Sequence, residues 1–268
     1  MDARKGFIGP AISAAALILG LVSAGSTLAE PACPASTAEE AVVTGATAAG
    51  ALLLSEGREV ILAGLAFPQA AGSATESGGD PRLAAAVGRL VTGPVRIAAA
   101  GPPDRYGRHR ANVYAAGGGW LQAELVAAGV AIVRPEGGDT ACVRALLALE
   151  SAARRTGSGL WADSNFVVKA TEEASLSARN GLYGLVEGRV VSVGYGSRMV
   201  FLDFGRSFRT DFTVMVQKTL VPRLLEAGIS VESLAGRAVR VRGVIEDSGG
   251  PAIRIVDPFA LEILDREE

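Results

Sequence analysis

Apolar and polar positions along the chain fall into two similar series of short strands, each broken by a helix. In the first series, Ala51-Leu52-Leu53-Leu54, a turn at Glu56-Gly57 and Val60-Ile61-Leu62 predict a hairpin that feeds the stretch Ile61 to Gln69. Residues 30–40, rich in Pro, Ala and Ser, read as a flexible leader, and residues 70–79, small and polar, as a loop. Asp80-Pro81 supplies an N-cap and a proline at the first helical position, with Leu83, Val87 and Leu90 at helical spacing behind it. Pro94–Ala98 and Ala111–Tyr114 predict strands. Trp120–Ala128 predicts a helix closed by Gly129, Val130–Val133 a short strand, and Thr140 the cap of a helix running to about Arg155.

The second series starts near residue 180. Leu185–Val193, Met199–Phe204, Phe212–Val216, Val239–Ile245, Ala252–Val256 and Ala260–Leu264 read as strands, with a helix over Leu220–Ala227 ended by Gly228. Five short strands with interspersed helices in the first series are what a small Greek-key barrel of the OB type needs, and the second series, with a helix between its third and fourth strands, again resembles that fold. The fold class expected is therefore mainly β with helices (α+β): an OB-type five-stranded barrel followed by a second OB-like barrel. Its boundaries are 30–165 for the first domain, a polar linker at 166–180, and 181–268 for the second.

Residues 1–29 read as an export signal. Arg4 and Lys5 precede an apolar run from Phe7 to about Val22, and Thr27-Leu28-Ala29 places small residues where a signal peptidase cuts. Gly9, Pro10 and Gly20 interrupt the run, so cleavage is favoured over retention as a membrane anchor. The expected location is periplasmic or extracellular, with no stable membrane anchor after cleavage.

At 268 residues, the chain is long enough for two domains, and 49% hydrophobic with 20% charged residues fits a globular protein. A formal net charge of −2, with neither half net positive, rules out whole-chain attraction to a polyanion. Contact with nucleic acid has to come from a local basic patch. Two cysteines, Cys33 and Cys142, and a single His109 cannot assemble a Cys/His zinc site. The cysteines leave two readings open: a disulfide tying the mature N-terminus to the last helix of the first domain, or a buried Cys142 acting as a small hydrophobe.

The stretch Ile61-Leu62-Ala63-Gly64-Leu65-Ala66-Phe67-Pro68-Gln69 resembles the active-site strand of the thermonuclease (staphylococcal-nuclease-like) family, approximately R-L-x-G-I-D-x-P-E. Downstream, Asp104-Arg105-Tyr106-Gly107-Arg108, with Ala111, Val113 and Tyr114 behind it, is similar to that family's D-x-Y-G-R-x-x-A-x-V-Y. Trp120–Ala131 resembles its helix ending in L-V-x-x-G-x-A. Leu149-Glu150 and Gly159-Leu160-Trp161 resemble its final helix and tryptophan. Together these cover roughly residues 42 to 163. The second series, with G-R-V-V-S-V-G and V-R-G-V-I-E-D, is similar to the OB-type domain that follows such domains in some bacterial proteins.

The resemblance implies phosphodiester hydrolysis with a calcium ion held by carboxylates, a Glu that activates water and two Arg that stabilise charge. Residue by residue, those roles fall on Gly50 and Ala66 for the carboxylates, Gln69 for the base, Ile61 for the first arginine and Arg108 for the second. Only Arg108 keeps the family's functional group. No cofactor is expected, because the calcium ligands are absent.

Two functions follow. One is a catalytically degenerate binding module for single-stranded nucleic acid, a protein or a glycan. Its candidate binding residues are Arg105, Tyr106 and Arg110 on the first barrel, and Arg240 and Arg242, which share a strand face, on the second. The alternative is a calcium-dependent endonuclease for DNA or RNA with a rebuilt site. Arg108 itself has two readings, a phosphate ligand or a partner of Asp104 that shapes the turn, and the second is favoured.

Overall fold

Residues whose side chains alternate between core and surface build two closed sheets with the same plan. The computed structural model describes residues 33, 38–47, 50–68, 81–104, 107–207 and 209–265. The expected export signal and the cap at Asp80 lie outside them.

In the first barrel the strands are β1 (Ala38–Ala41), β2 (Val43–Ala46), β3 (Ala51–Leu54), β4 (Glu59–Leu62), β5 (Leu65–Ala66), β6 (Val95–Ala99), β7 (His109–Tyr114) and β8 (Ile132–Val133). Its helices are α1 (Pro81–Leu90), α2 (Leu121–Ala127) and α3 (Thr140–Thr156). The main sheet runs β1-β6-β7-β4-β3-β2, so one bent strand, β1 and β2 with the exposed Val42 between them, pairs at both edges. This closes the barrel and leaves no long open edge. Strands β4 and β7 are parallel, with Ile61 opposite Arg110. Leu52, Leu54, Val60, Leu62, Ala111 and Val113 point inward and are buried. Each such Leu or Val stabilises the fold by about 1.5–3 kcal/mol.

The leader expected over 30–40 is partly structured. Ala38–Ala41 forms β1 against Val95–Ala99, and Cys33 is bonded to Cys142 on α3, with a Cα–Cα distance of 4.9 Å. The Tyr114 hydroxyl donates to the Cys33 carbonyl oxygen, pinning the same segment. The cap of α3 is Asp139 rather than Thr140. Its carboxylate accepts from the Ala141 and Cys142 amides, which a threonine already inside the helix does not reach.

The second barrel contains β9 (Val168–Lys169), α4 (Glu173–Ser177), β10 (Tyr183–Arg189), β11 (Ser192–Tyr195), β12 (Met199–Asp203), β13 (Thr213–Gln217), α5 (Val221–Glu226), β14 (Ala238–Asp247), β15 (Pro251–Ile255) and β16 (Leu261–Ile263). Its path β11-β12-β13-β15-β14-β10 repeats the first barrel's order, including a parallel third-to-fifth pair, β13 with β15. A helix again precedes the fourth strand. The single strand expected over Leu185–Val193 is two: β10 ends at Arg189 and β11 starts at Ser192, which lets them pair on opposite edges.

Residues 166–180, expected as a linker, carry β9 and α4. Strand β9 runs parallel to β10, and Val168, Ala170 and Leu176 are buried in the second core. Apolar residues spaced through a polar segment provide that anchorage. All the described residues belong to one compact unit. At the junction, Ala66 and Ile132 of the first barrel pack with Leu160 and Leu185, flanked by Trp161, Phe166 and Tyr183. No helix among the described residues is long and apolar enough to cross a membrane.

Candidate functional site

A cleft of about 370 Å³ opens beside the end of β4. Gly50, Ala51, Ile61, Leu65, Ala66 and Phe67 are among its apolar lining residues. Asp104, Arg108, Arg110, Arg134, Glu136 and, from the second barrel, Tyr183 supply the polar ones. Barrel closure thus brings together four of the positions singled out by the family resemblance: 50, 61, 66 and 108. Gln69, Arg105 and Tyr106 lie outside the described residues.

Gly50 precedes β3 with φ +87°, a backbone conformation that glycine adopts without steric cost. A Cβ built there would sit 1.9 Å from Cδ2 of Phe67. The Phe67 ring therefore fills the space a side chain at position 50 would occupy. Ala66, 8% exposed, is paired with Ile132 in the β5–β8 ladder, and its methyl group offers no ligand atom.

Calcium normally takes six to eight oxygens. The carboxylates that do line the cleft are already engaged. Asp104 accepts from the Arg108 guanidinium, at 2.9 Å from both Nε and Nη2, and from the Arg108 backbone amide at 3.0 Å. Glu136 lies 3.3 Å from Arg134 Nε. Among the described residues no group of three or more His, Cys, Asp or Glu is placed to hold a metal ion. The described residues of the cleft do not fit the family's calcium.

Arg108 is tied into the turn it closes, because Asp104 also donates its own amide to the Arg108 carbonyl oxygen at 2.9 Å. Arg110, exposed on β7, lies beside Ile61 in register. Its guanidinium rests over Gly137, where a Cβ would come within 2.9 Å of Nη1. Arg134 is held between Glu136 and the Tyr183 ring, 5.1 Å from the ring centroid. Burial pushes the Tyr183 phenol far up from its ordinary value, and Glu136 adds to this, so the hydroxyl stays neutral.

Arg240 and Arg242 do not form the open basic face expected of them. Arg242 is 2% exposed and pairs with Glu150 of α3, with Nη2 to Oε1 at 2.8 Å and Nη1 to Oε2 at 3.0 Å; Nη1 also donates to the Val133 carbonyl oxygen. Arg240 pairs with Glu187 and Glu262, and Arg154 joins Glu150 to Glu262. Burial works to lower the Arg242 pKa, and the Glu150 carboxylate outweighs it, leaving the guanidinium raised and charged. Within this network the guanidinium groups of Arg240 and Arg242 are engaged by carboxylates. Residue spacing gave no sign of it, since Glu150 and Arg242 are 92 residues apart. Arg134 and Glu136 belong to none of the family-like phrases. Their only signal is a charged pair in the glycine-containing turn after β8.

Residues 83–163 match the family model described as Staphylococcal nuclease homologue. No curated protein matches the chain. The matched segment begins in α1 and ends just beyond Trp161. It leaves out β1 to β5, the strands that bring Gly50, Ile61 and Ala66 to the cleft.

Proposed function

From a chain that carries a staphylococcal-nuclease-like domain over residues 83–163, we propose an exported nuclease-family scaffold that binds single-stranded nucleic acid at its cleft without cutting it. The observation that carries this reading is the lining of the cleft. Arg108, Arg110 and Arg134 remain there, while Gly50, Ile61 and Ala66 stand where the family places two metal-holding carboxylates and an arginine. Loss of one transition-state donor typically costs about a hundred- to a thousand-fold in rate. Several roles are vacant at once, and hydrolysis by the family's route has no support among these residues.

The cleft suits an extended strand better than a compact partner. It combines guanidinium groups with an aromatic ring and apolar surface, the pairing that tracks a phosphate backbone and accepts a base or sugar. A rebuilt nuclease lacks comparable support: Asp104 and Glu136 are engaged with arginines, and Glu59, the other carboxylate near Ile61, does not line the cleft. Export is supported by the basic and apolar N-terminal pattern and by the Cys33–Cys142 disulfide, a bond favoured in oxidising compartments.

The test is binding of single-stranded DNA and RNA by the purified mature chain across a salt series. Affinity that falls steeply with salt is the expected result. Absence of binding at low salt would overturn the reading.

A further inference from the structure

We propose that the cleft holds a phosphodiester directly on Arg110 and Arg134, with Phe67 standing where a metal-binding side chain would reach, so that ligand binding needs no divalent cation. This inference rests on the reading of the cleft as a nucleic-acid site and says how that site works.

Three observations carry it. The first is the contact between Phe67 and Gly50. With a Cβ at position 50 placed 1.9 Å from the ring, the space for a liganding side chain is filled by apolar carbon. A cation bound there would face an aromatic edge and the Ala66 methyl group.

The second is the register of β4 and β7. Ile61 has lost the positive charge the family places at that position, and Arg110 is its direct neighbour on the adjacent strand. Paired strands lie about 4.8 Å apart, so a guanidinium one strand over reaches the same cleft. Among the described residues Arg110 forms no ion pair or side-chain hydrogen bond. Gly137, with φ +75°, leaves room for its head group.

The third is the preset geometry of Arg134. Glu136 engages its Nε and the Tyr183 ring lies under its guanidinium, which fixes the side chain while leaving other N–H donors of the five. Tyr183 belongs to the second barrel, so that barrel acts here as a positioning element for the first.

Charge balance selects the ligand class. Among the described lining residues, Arg108, Arg110 and Arg134 oppose Asp104 and Glu136, and Tyr183 is neutral, which leaves one net positive charge. A phosphodiester carries a single negative charge and matches it. Charge-assisted hydrogen bonds from guanidinium to phosphate oxygen are the strong kind. The apolar lining with Phe67 then takes the neighbouring sugar or base.

The experiment is fluorescence anisotropy of a labelled short single-stranded oligodeoxynucleotide with the full mature chain, in calcium and in EDTA. The dissociation constant is expected to agree within about twofold between the two buffers, since no cation takes part in the contact. Arg110→Ala is expected to weaken binding about tenfold, the loss of one charge-assisted contact. Arg198→Ala, an exposed arginine on the second barrel, should leave it unchanged. Binding lost in EDTA would overturn the inference and leave the nucleic-acid reading standing. Unchanged affinity in Arg110→Ala would also overturn it, by moving the phosphate elsewhere. No binding in either buffer would overturn both.

Discussion

Glu150 and Arg242 form a two-pronged ion pair at the junction of the barrels, with side chains 0% and 2% exposed and contacts of 2.8 and 3.0 Å. Glu150 also accepts from the Val133 amide at 2.7 Å and from Arg154 at 3.1 Å. Its lone pairs are thereby well used, as a buried carboxylate requires. One end of the pair sits on α3 and the other on β14, so the contact fixes how the second barrel meets the first.

Removing one partner strands the other in a dry site. Arg242→Ala is expected to destabilise the protein by about 3–5 kcal/mol, measured by urea denaturation. Pairing Arg242→Met with Glu150→Leu should recover only part of that loss. The Val133 amide would lose its Glu150 partner, at about 1–3 kcal/mol for an unsatisfied buried group, while its carbonyl would lose Arg242 and keep the Tyr183 hydroxyl at 3.5 Å. A single-variant loss below about 1 kcal/mol would contradict the enclosed pair.

The acidic side of the junction sets a pH dependence. Burial works to raise the Glu187 carboxyl, and Lys169 and Arg240 outweigh it, so its folded pKa lies below its ordinary value. A depressed carboxylate contributes stability that is present above its unfolded pKa, about 4.3, and lost as pH falls through the folded one. Stability should therefore be flat near neutral pH and fall below about pH 4. Glu187→Gln should flatten that fall, as read from thermal melts across pH.

The Cys33–Cys142 bond closes a span of 109 residues across the first barrel. Chain-entropy arguments give about 4–5 kcal/mol for a loop of this length, and measured values run at about 2–5. Cys33→Ser should lower the denaturant midpoint accordingly and release the Tyr114 hydroxyl contact. The second barrel's core contains neither cysteine, so its hydrogen-exchange protection should change least.

Gly50 and Phe67 should behave as a coupled pair. Gly50→Ala forces a Cβ into the ring and strains a positive φ, costing about 1–3 kcal/mol. In Phe67→Ala the same change should cost less, so the double-mutant cycle gives a coupling of at least about 0.5 kcal/mol. Additive effects would mean the ring does not press on position 50.

Strand positions were legible because inward residues alternate strictly where one face meets a core. Leu52 with Leu54, Val60 with Leu62, Val200 with Leu202 and Val214 with Val216 are all buried. The cleft was legible in part, through phrases that keep the family's backbone pattern while changing its side chains. Contacts between distant single residues were not. Glu150 on a helix and Arg242 on a strand look like ordinary solvated charges until the barrels meet. The Cys33–Cys142 pairing stayed open for the same reason. Residues 166–180 read as a linker because two strand residues and a one-turn helix give too little periodicity to detect.

The most direct measurement of the central claim is a cleavage assay: purified mature protein with single-stranded and duplex DNA and with RNA, in calcium and in EDTA. No cleavage above the buffer control is expected in either condition, with single-stranded DNA still bound. Calcium-dependent cleavage that disappears in Arg108→Ala would contradict that claim.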